Sequence, residues 1–321
     1  MDSGMEIHSA PWIIFVIAIV VFLALDLGVF HRRARQVGFR EALFWTALWY
    51  GIAMLFAFVL APLMVPSWKQ AQTEEFVTGY IIELSLSMDN VFVIALIFTY
   101  FDVPKLYQHR VLFWGILGAL VMRAGMIFLG VALVRQFVWM FYFLGAFLVY
   151  TGIRMAFSRD AKVEPEKNLA IRLARRFFPV SSSFHGQDFV TKLNGRWALT
   201  PLALVLVMVE TTDLIFAVDS IPAIFAVTQD EFIIFTSNVF AILGLRSLYF
   251  VLAGALGFFR YLKIGLSLVL VFVGVKMLGS QIGLHVSTRL SLGIVAGIIL
   301  LSIFFSVLAQ KREKSTTRQD H

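Results

Sequence analysis

Glu83-Leu-Ser-Leu-Ser-Met-Asp89-Asn90 and Glu210-Thr-Thr-Asp213-Leu-Ile-Phe-Ala-Val-Asp219-Ser220-Ile-Pro222 place carboxylates where a bilayer-spanning helix ordinarily carries none. In each stretch two acids stand six residues apart, Glu83 with Asp89 and Asp213 with Asp219, and a small polar residue follows the second. The stretches read as two copies of one device. An ionised side chain near the bilayer centre costs roughly 2.5–3.5 kcal/mol on insertion scales, so such residues are kept out of lipid and mark a pathway. The surrounding sequence is almost wholly apolar, from Phe76 to Tyr100 and from Leu199 to Val227, which is longer than a soluble core helix needs.

Composition agrees. With 60% hydrophobic residues, 33 Phe and a mean hydropathy of +0.84, the 321-residue chain has too little polar surface to cover a soluble globule. The fold class expected is an all-α polytopic membrane protein. The net charge of +7 does not point to nucleic acid, because the basic residues sit in short connections between apolar runs rather than along one face. The chain has no cysteine, hence no disulfide framework and no thiol chemistry of its own.

A span of about 20 residues divides the apolar runs into nine candidates, near 11–30, 42–64, 76–100, 111–134, 137–157, 198–226, 232–257, 263–280 and 290–309. The first lacks a basic leading region and a small-residue cleavage site, so it reads as an anchor. Asp2 and Glu6 precede it and Arg32, Arg33, Arg35 and Arg40 follow it, which by the positive-inside rule puts the N-terminus outside. Lys105 and Arg110, Arg260 and Lys263, and Lys311, Arg312 and Lys314 then all fall on the cytoplasmic side, as does the C-terminus. Only Arg135 and Arg289 stand on the wrong side, each alone. The long connection 158–197 has eight basic and four acidic residues, and its stretch Leu169, Leu173, Phe177 with Arg172, Arg175 and Arg176 suits either a short helix on anionic headgroups or a solvated linker.

The duplication extends past the acids. Gly118-Ala-Leu-Val-Met-Arg123 follows the first copy and Ala241-Ile-Leu-Gly-Leu-Arg246 the second, and Gly152-Ile-Arg154-Met155 and Gly274-Val-Lys276-Met277 close the units. Three spans per unit send the second copy into the membrane from the opposite side, the inverted-repeat plan of many secondary transporters, with the site near the midplane between the copies. The organisation expected is 1–75, two N-terminal spans; 76–157, the first repeat; 158–197, the basic connection; 198–280, the second repeat; and 281–321, the last span and a basic tail.

At about 100° per residue Glu210 and Asp213 share a helix face while Glu210 and Asp219 oppose each other, so a straight helix cannot aim all three inward. Pro222 has no N–H for the carbonyl of Val218, and a helix break is expected at 218–222. Glu83, Asp89, Glu210, Asp213 and Asp219 outnumber their candidate charge-balancing residues Arg123 and Arg246 by three. With Asn90 and Ser220 they form a hard oxygen set suited to magnesium, calcium or manganese. No histidine lies well inside a span and there is no cysteine, which argues against zinc or copper. A structural account stays open beside this one, in which Arg123 and Arg246 pair with two carboxylates and burial keeps the other acids protonated. Asp26, in the first span but outside the repeat, reads equally as an entry residue or a surface charge.

The two motifs resemble the signatures of the TerC family, and the likeness continues through Thr236-Ser-Asn-Val-Phe-Ala-Ile-Leu-Gly-Leu-Arg246 and over nearly the whole chain, closest to the Alx-type bacterial members. The resemblance implies a multi-pass protein of the bacterial inner membrane within the LysE-like transporter group, associated with manganese export. Its functional acids would fall on Glu83, Asp89, Glu210, Asp213 and Asp219, with Asn90 and Ser220 beside them. The family is also linked by name to tellurium resistance and redox modulation. An anion would meet a negative site, and a chain without cysteine offers a thiol-based redox role no residue. The function expected is therefore manganese export for metal homeostasis, with protons as a candidate counter-ion and Mn²⁺ as cargo rather than a tightly bound cofactor. The alternative is a redox modulator or tellurium-resistance partner without transport activity. There is no Gly-x-x-x-x-Gly-Lys motif, and no enzymatic activity is expected.

Overall fold

Residues 9–25, 38–137, 139–157, 166, 168–193, 195–253, 261–284 and 286–317 are described by a computed structural model. The described residues are mostly helical, with one short hairpin. α1 (Ser9–Leu25), α2 (Phe39–Leu55) and α3 (Ala61–Met64) lead into α4 (Gln70–Tyr100), α5 (Lys105–Gln136) and α6 (Met140–Phe157). After α7 (Leu169–Phe177) and a hairpin of β1 (Val190–Leu193) and β2 (Arg196–Leu199) come α8 (Pro201–Phe225), α9 (Glu231–Ala253), α10 (Leu262–Gln281) and α11 (Thr288–Thr317). Eight helices are long and apolar enough to cross a bilayer: Phe39–Met64, the six from α4 to α10 apart from α7, and Thr288–Ala309. α1 is apolar but has only 17 described residues, and 26–30 of the expected first span, with Asp26, lie outside the described residues. Among the described residues the count is thus eight spans and one shorter apolar helix rather than nine spans.

Two local departures have physical causes. α2 and α3 are joined by a π-turn, Phe56–Leu60, in which the Ala61 N–H bonds back to the carbonyl of Phe56. Pro62 cannot donate in the next turn, and a wider turn absorbs the mismatch without ending the helix. By contrast α8 stays helical through Pro222, so the break expected at 218–222 is not formed. Proline removes one bond, to Val218. The remaining turn is held by Ala226 N–H to Pro222 O at 3.3 Å and Thr228 N–H to Ile224 O at 3.1 Å, and by burial of Ile221, Ile224 and Phe225.

Of the two readings of the connection 158–197, the short helix is present among its described residues. Asn168 caps α7, accepting from the amides of Ala170 and Ile171 at 2.9 and 3.2 Å, and Ile171 is the residue α7 buries. Leu169, Leu173 and Phe177 are exposed on it. The hairpin pairs Leu193 with Arg196 and carries Gly195 at φ +77°. An Asn-Gly pair between alternating residues is the usual signal for such a turn, and it stands in the sequence as Asn194-Gly195.

Around the spanning helices, α4 lies on α9, α5 on α8, and α4 on α8, while α6 and α10 make the most extensive contact of all. That last contact is backbone against backbone: a Cβ on Gly274 would stand 2.7 Å from the Gly145 carbonyl, and one on Gly152 would stand 2.8 Å from that of Ser267. Small residues permit such close approach where lipid offers no hydrophobic drive. A second cluster, built on Phe15, Phe56, Trp68, Phe76, Phe232 and Phe240, fastens α1 and α2 to α4 and α9.

One end of the bundle is tied by ion pairs. Arg135 at the end of α5 meets Glu231 at the start of α9 at 2.7 Å, and Glu74 near the start of α4 meets Arg289 of α11 at 2.7 Å. Glu75 bonds Thr228 and faces Lys276 of α10 at the same end. Replacing Gly274 by Leu should force α6 from α10 at a cost above the roughly 1–3 kcal/mol of ordinary overpacking, read as a lowered melting temperature in detergent. Gly293→Leu on α11, where a Cβ meets nothing within 4 Å, should leave it unchanged.

Candidate functional site

Helical spacing sorts the residues of each motif. On α4, Glu83, Ser87 and Asn90 stand at i, i+4 and i+7 and face one way, all buried, while Asp89 is turned aside with Leu86, Phe92 and Val93. On α8, Asp213 and Ser220 stand at i and i+7 and are buried, while Asp219 is turned aside with Phe216. The two copies therefore present the same arrangement: the first acid and the polar residue go to one place, the second acid to another.

The first place is Arg123. Its guanidinium, on α5 and only 2% exposed, contacts the Glu83 carboxylate through Nη1. It also holds Asp213 in a fork, Nη2 to Oδ1 at 3.0 Å and Nε to Oδ2 at 3.2 Å. Nη1 donates further to Ser220 Oγ and Asn238 Oδ1, both at 3.4 Å, and Asn90 Nδ2 donates to Asp213 Oδ1 at 3.2 Å. Four helices, α4, α5, α8 and α9, thus meet on one planar cation, whose fork matches carboxylate geometry as a lysine's point charge would not. Pairing by Arg123, the structural account left open by the sequence, holds for Glu83 and Asp213.

The second place is a cavity of about 300 Å³. Asp89 and Asp219 line it from α4 and α8, with Asn90, Ser220 and the edge of Arg123; Thr151 and Arg154 of α6 and Lys263 and Leu270 of α10 complete it. Asp219 stands beside Arg154 and Thr151, and Asp89 faces Lys263. Glu210 goes to neither place. It lies against Gly118 of α5, where a Cβ would collide with its carboxylate, and its Oε2 is buried without a hydrogen-bond partner. Asn90 Oδ1, Ser87 Oγ and Asn238 Nδ2 are likewise buried and unpartnered.

The profile of the integral membrane protein TerC family matches residues 68–315, which spans both motifs, the Arg123 hub and the cavity. The chain belongs to the TerC family. An uncharacterized membrane protein of Myxococcus xanthus is 49% identical over 303 residues, 94% of this chain and 92% of that one. Alx of Salmonella typhi, which carries the provisional name of a membrane-bound redox modulator, is 42% identical over 314 residues, covering 96% and 97% of the two chains. Alx of Escherichia coli K12 is 42% identical over 306 residues, 94% and 95%. No solved structure matches.

In this TerC chain the seven oxygen-bearing residues singled out by sequence do not form one cluster, and among the described residues no three acids or histidines group closely enough to hold a metal by themselves. Asp89 and Asp219 share the cavity with Asn90 and Ser220; Glu83 and Asp213 are committed to Arg123; Glu210 stands apart. The charge count also changes. Arg154 and Lys263 face the cavity acids, so the surplus of negative charge over the five acids falls from three to two once Arg246, half-buried on α9 and absent from the cavity lining, is set aside and these two are added. Asn238, Thr151 and Lys263 escaped the sequence reading of the site. Asn238 had a signal, since it is a polar residue inside an apolar span and a buried polar group needs a hydrogen-bond partner.

Removing the guanidinium leaves two buried carboxylates uncompensated, so Arg123→Leu should destabilise by about 3–5 kcal/mol. Adding Glu83→Gln and Asp213→Asn to it should recover much of the loss, as followed by thermal unfolding of the purified protein.

Proposed function

We propose that this TerC protein is a divalent cation transporter of the cell inner membrane, and that its physiological cargo is manganese, moved out of the cytoplasm. The observation that carries the reading is the meeting of Asp89 and Asp219, equivalent residues of the two motif copies, on one cavity between α4, α6, α8 and α10. Two carboxylates with the oxygens of Asn90, Ser220 and Thr151 offer hard donors, and neither a cysteine nor a histidine lines the cavity. Manganese among the hard cations follows from the family resemblance.

An inverted repeat of α4–α6 and α8–α10 is part of this reading. Exchange of the triplets would turn the α4–α9 contact into α8–α5 and leave the α6–α10, α4–α8 and α5–α9 pairs in place, and these five are among the helix contacts present. Rocking of one triplet on the other would then open the cavity to either side. The N-terminus lies outside and the C-terminus in the cytoplasm. This orientation is supported by the two arginines that stand against the positive-inside rule, because Arg135 and Arg289 are each paired with an acid at the same end of the bundle. The redox role in the name of the Alx relatives has no thiol in this chain to act through, and it would follow here from the metal moved.

Manganese uptake into sealed inside-out vesicles tests the reading. The intact protein should accumulate the ion, and Asp89→Asn and Asp219→Asn should each reduce accumulation by roughly 10–100-fold, the scale on which a metal site responds to loss of a supporting group. Accumulation that survives both substitutions would remove the cavity from the pathway.

A further inference from the structure

The cavity that the proposed transport uses contains more positive charge than a cation seat requires. Asp89 and Asp219 are opposed by Lys263 and Arg154, one basic group for each acid, and each on a helix of the unit's closing contact, α10 or α6. Arg123 also reaches the cavity, but its charge is engaged by Glu83 and Asp213. Formal charge over the four remaining groups is therefore balanced. A divalent cation held between Asp89 and Asp219 would displace two charges of its own kind.

Both basic residues are placed to yield. Lys263 is the second residue of α10, Arg154 is three residues from the end of α6, and Arg154 is exposed while Lys263 is partly so. Long stems at helix ends let the charged heads swing toward water while the methylenes stay on apolar surface. The aspartates have no such freedom, being mid-helix on α4 and α8. A polar atom also waits in the cavity wall: Asn90 lines it, is 3% exposed, and its Oδ1 has no partner. A cavity with mobile cations, fixed carboxylates and an unused oxygen is built to exchange one positive occupant for another.

We propose that Arg154 and Lys263 are tethered counter-cations that take the cargo's place on Asp219 and Asp89 when the cavity is empty, so that the unloaded carrier can return across the membrane without two bare carboxylates. This rests on the transport reading above. Burying two uncompensated charges during the return would be strongly opposed by desolvation, whereas a paired, neutral set is opposed far less. Loading then consists of the metal displacing both basic groups outward.

A comparison of net flux with exchange isolates the return step. Reconstituted vesicles are loaded with manganese on one side only, or on both sides with labelled ion on one. The intact protein should carry out both processes. The doubly neutralised variant Arg154→Gln with Lys263→Gln should lose net flux by about tenfold or more while exchange between loaded sides stays within about twofold, since a carrier that always returns loaded needs no substitute cation. The charge-conserving pair Arg154→Lys with Lys263→Arg should keep both, which guards against misfolding as the cause. Equal loss of net flux and exchange in the neutralised variant, or loss of neither, overturns the inference; loss of neither would be the result if protons on the aspartates carried the return. An intact protein that moves no manganese in either assay overturns the transport reading and this inference with it.

Discussion

A single buried guanidinium organises the centre of this protein. The charge of Arg123 could not be buried in an apolar bundle without acceptors, and the acceptors it has come from three other helices, α4, α8 and α9. Glu83 and Asp213 are in turn tolerable at bilayer depth because Arg123 is there. The mutual dependence fixes the rotation of α4 and α8 about their axes, and once those rotations are fixed the direction of Asp89 and Asp219 follows, one residue before Asn90 and Ser220. The buried ion cluster and the pair of acids on the cavity are thus separated by a single residue of helical phase.

That phase explains how much of the site was legible. Two acids at a spacing of six, followed by a small polar residue, announced a duplicated polar device, and the eight spanning helices were visible as apolar runs to within a few residues at most ends. What the pattern could not give was partition. Nine residues is 900°, so Glu210 and Asp219 oppose each other on a straight helix, and the sequence reading answered this with a break at 218–222. The protein answers it by sending the acids to different places and keeping α8 helical. The contribution of α6 and α10 was hidden for another reason: Arg154 and Lys263 sit near helix ends, and they entered the sequence reading as a repeat marker and a topology signal rather than as site residues.

The connection 158–197 was legible in part. A short helix on Leu169, Leu173 and Phe177 and a solvated linker suited it equally, and the hairpin was not foreseen. Yet Asn168 as a cap, alternation around Asn194-Gly195 and the apolar spacing of Leu169, Leu173 and Phe177 were all local signals of order, and α7 and the hairpin follow them. Short elements of this kind are stabilised by what they rest on, here α8, with Asn168 Nδ2 meeting Met208 Sδ at 3.3 Å. No sequence window contains both partners of that contact.

The ion pairs at one end of the bundle carry a consequence for biosynthesis. Glu74 and Arg289 are 215 residues apart, so the acid emerges from the ribosome long before its partner exists. Arg135 likewise precedes Glu231. Each early residue waits with its charge solvated until α9, and then α11, arrives. The Glu74–Arg289 pair is in that sense a clasp that only α11 can fasten, and a chain truncated before α11 would leave α4 without it.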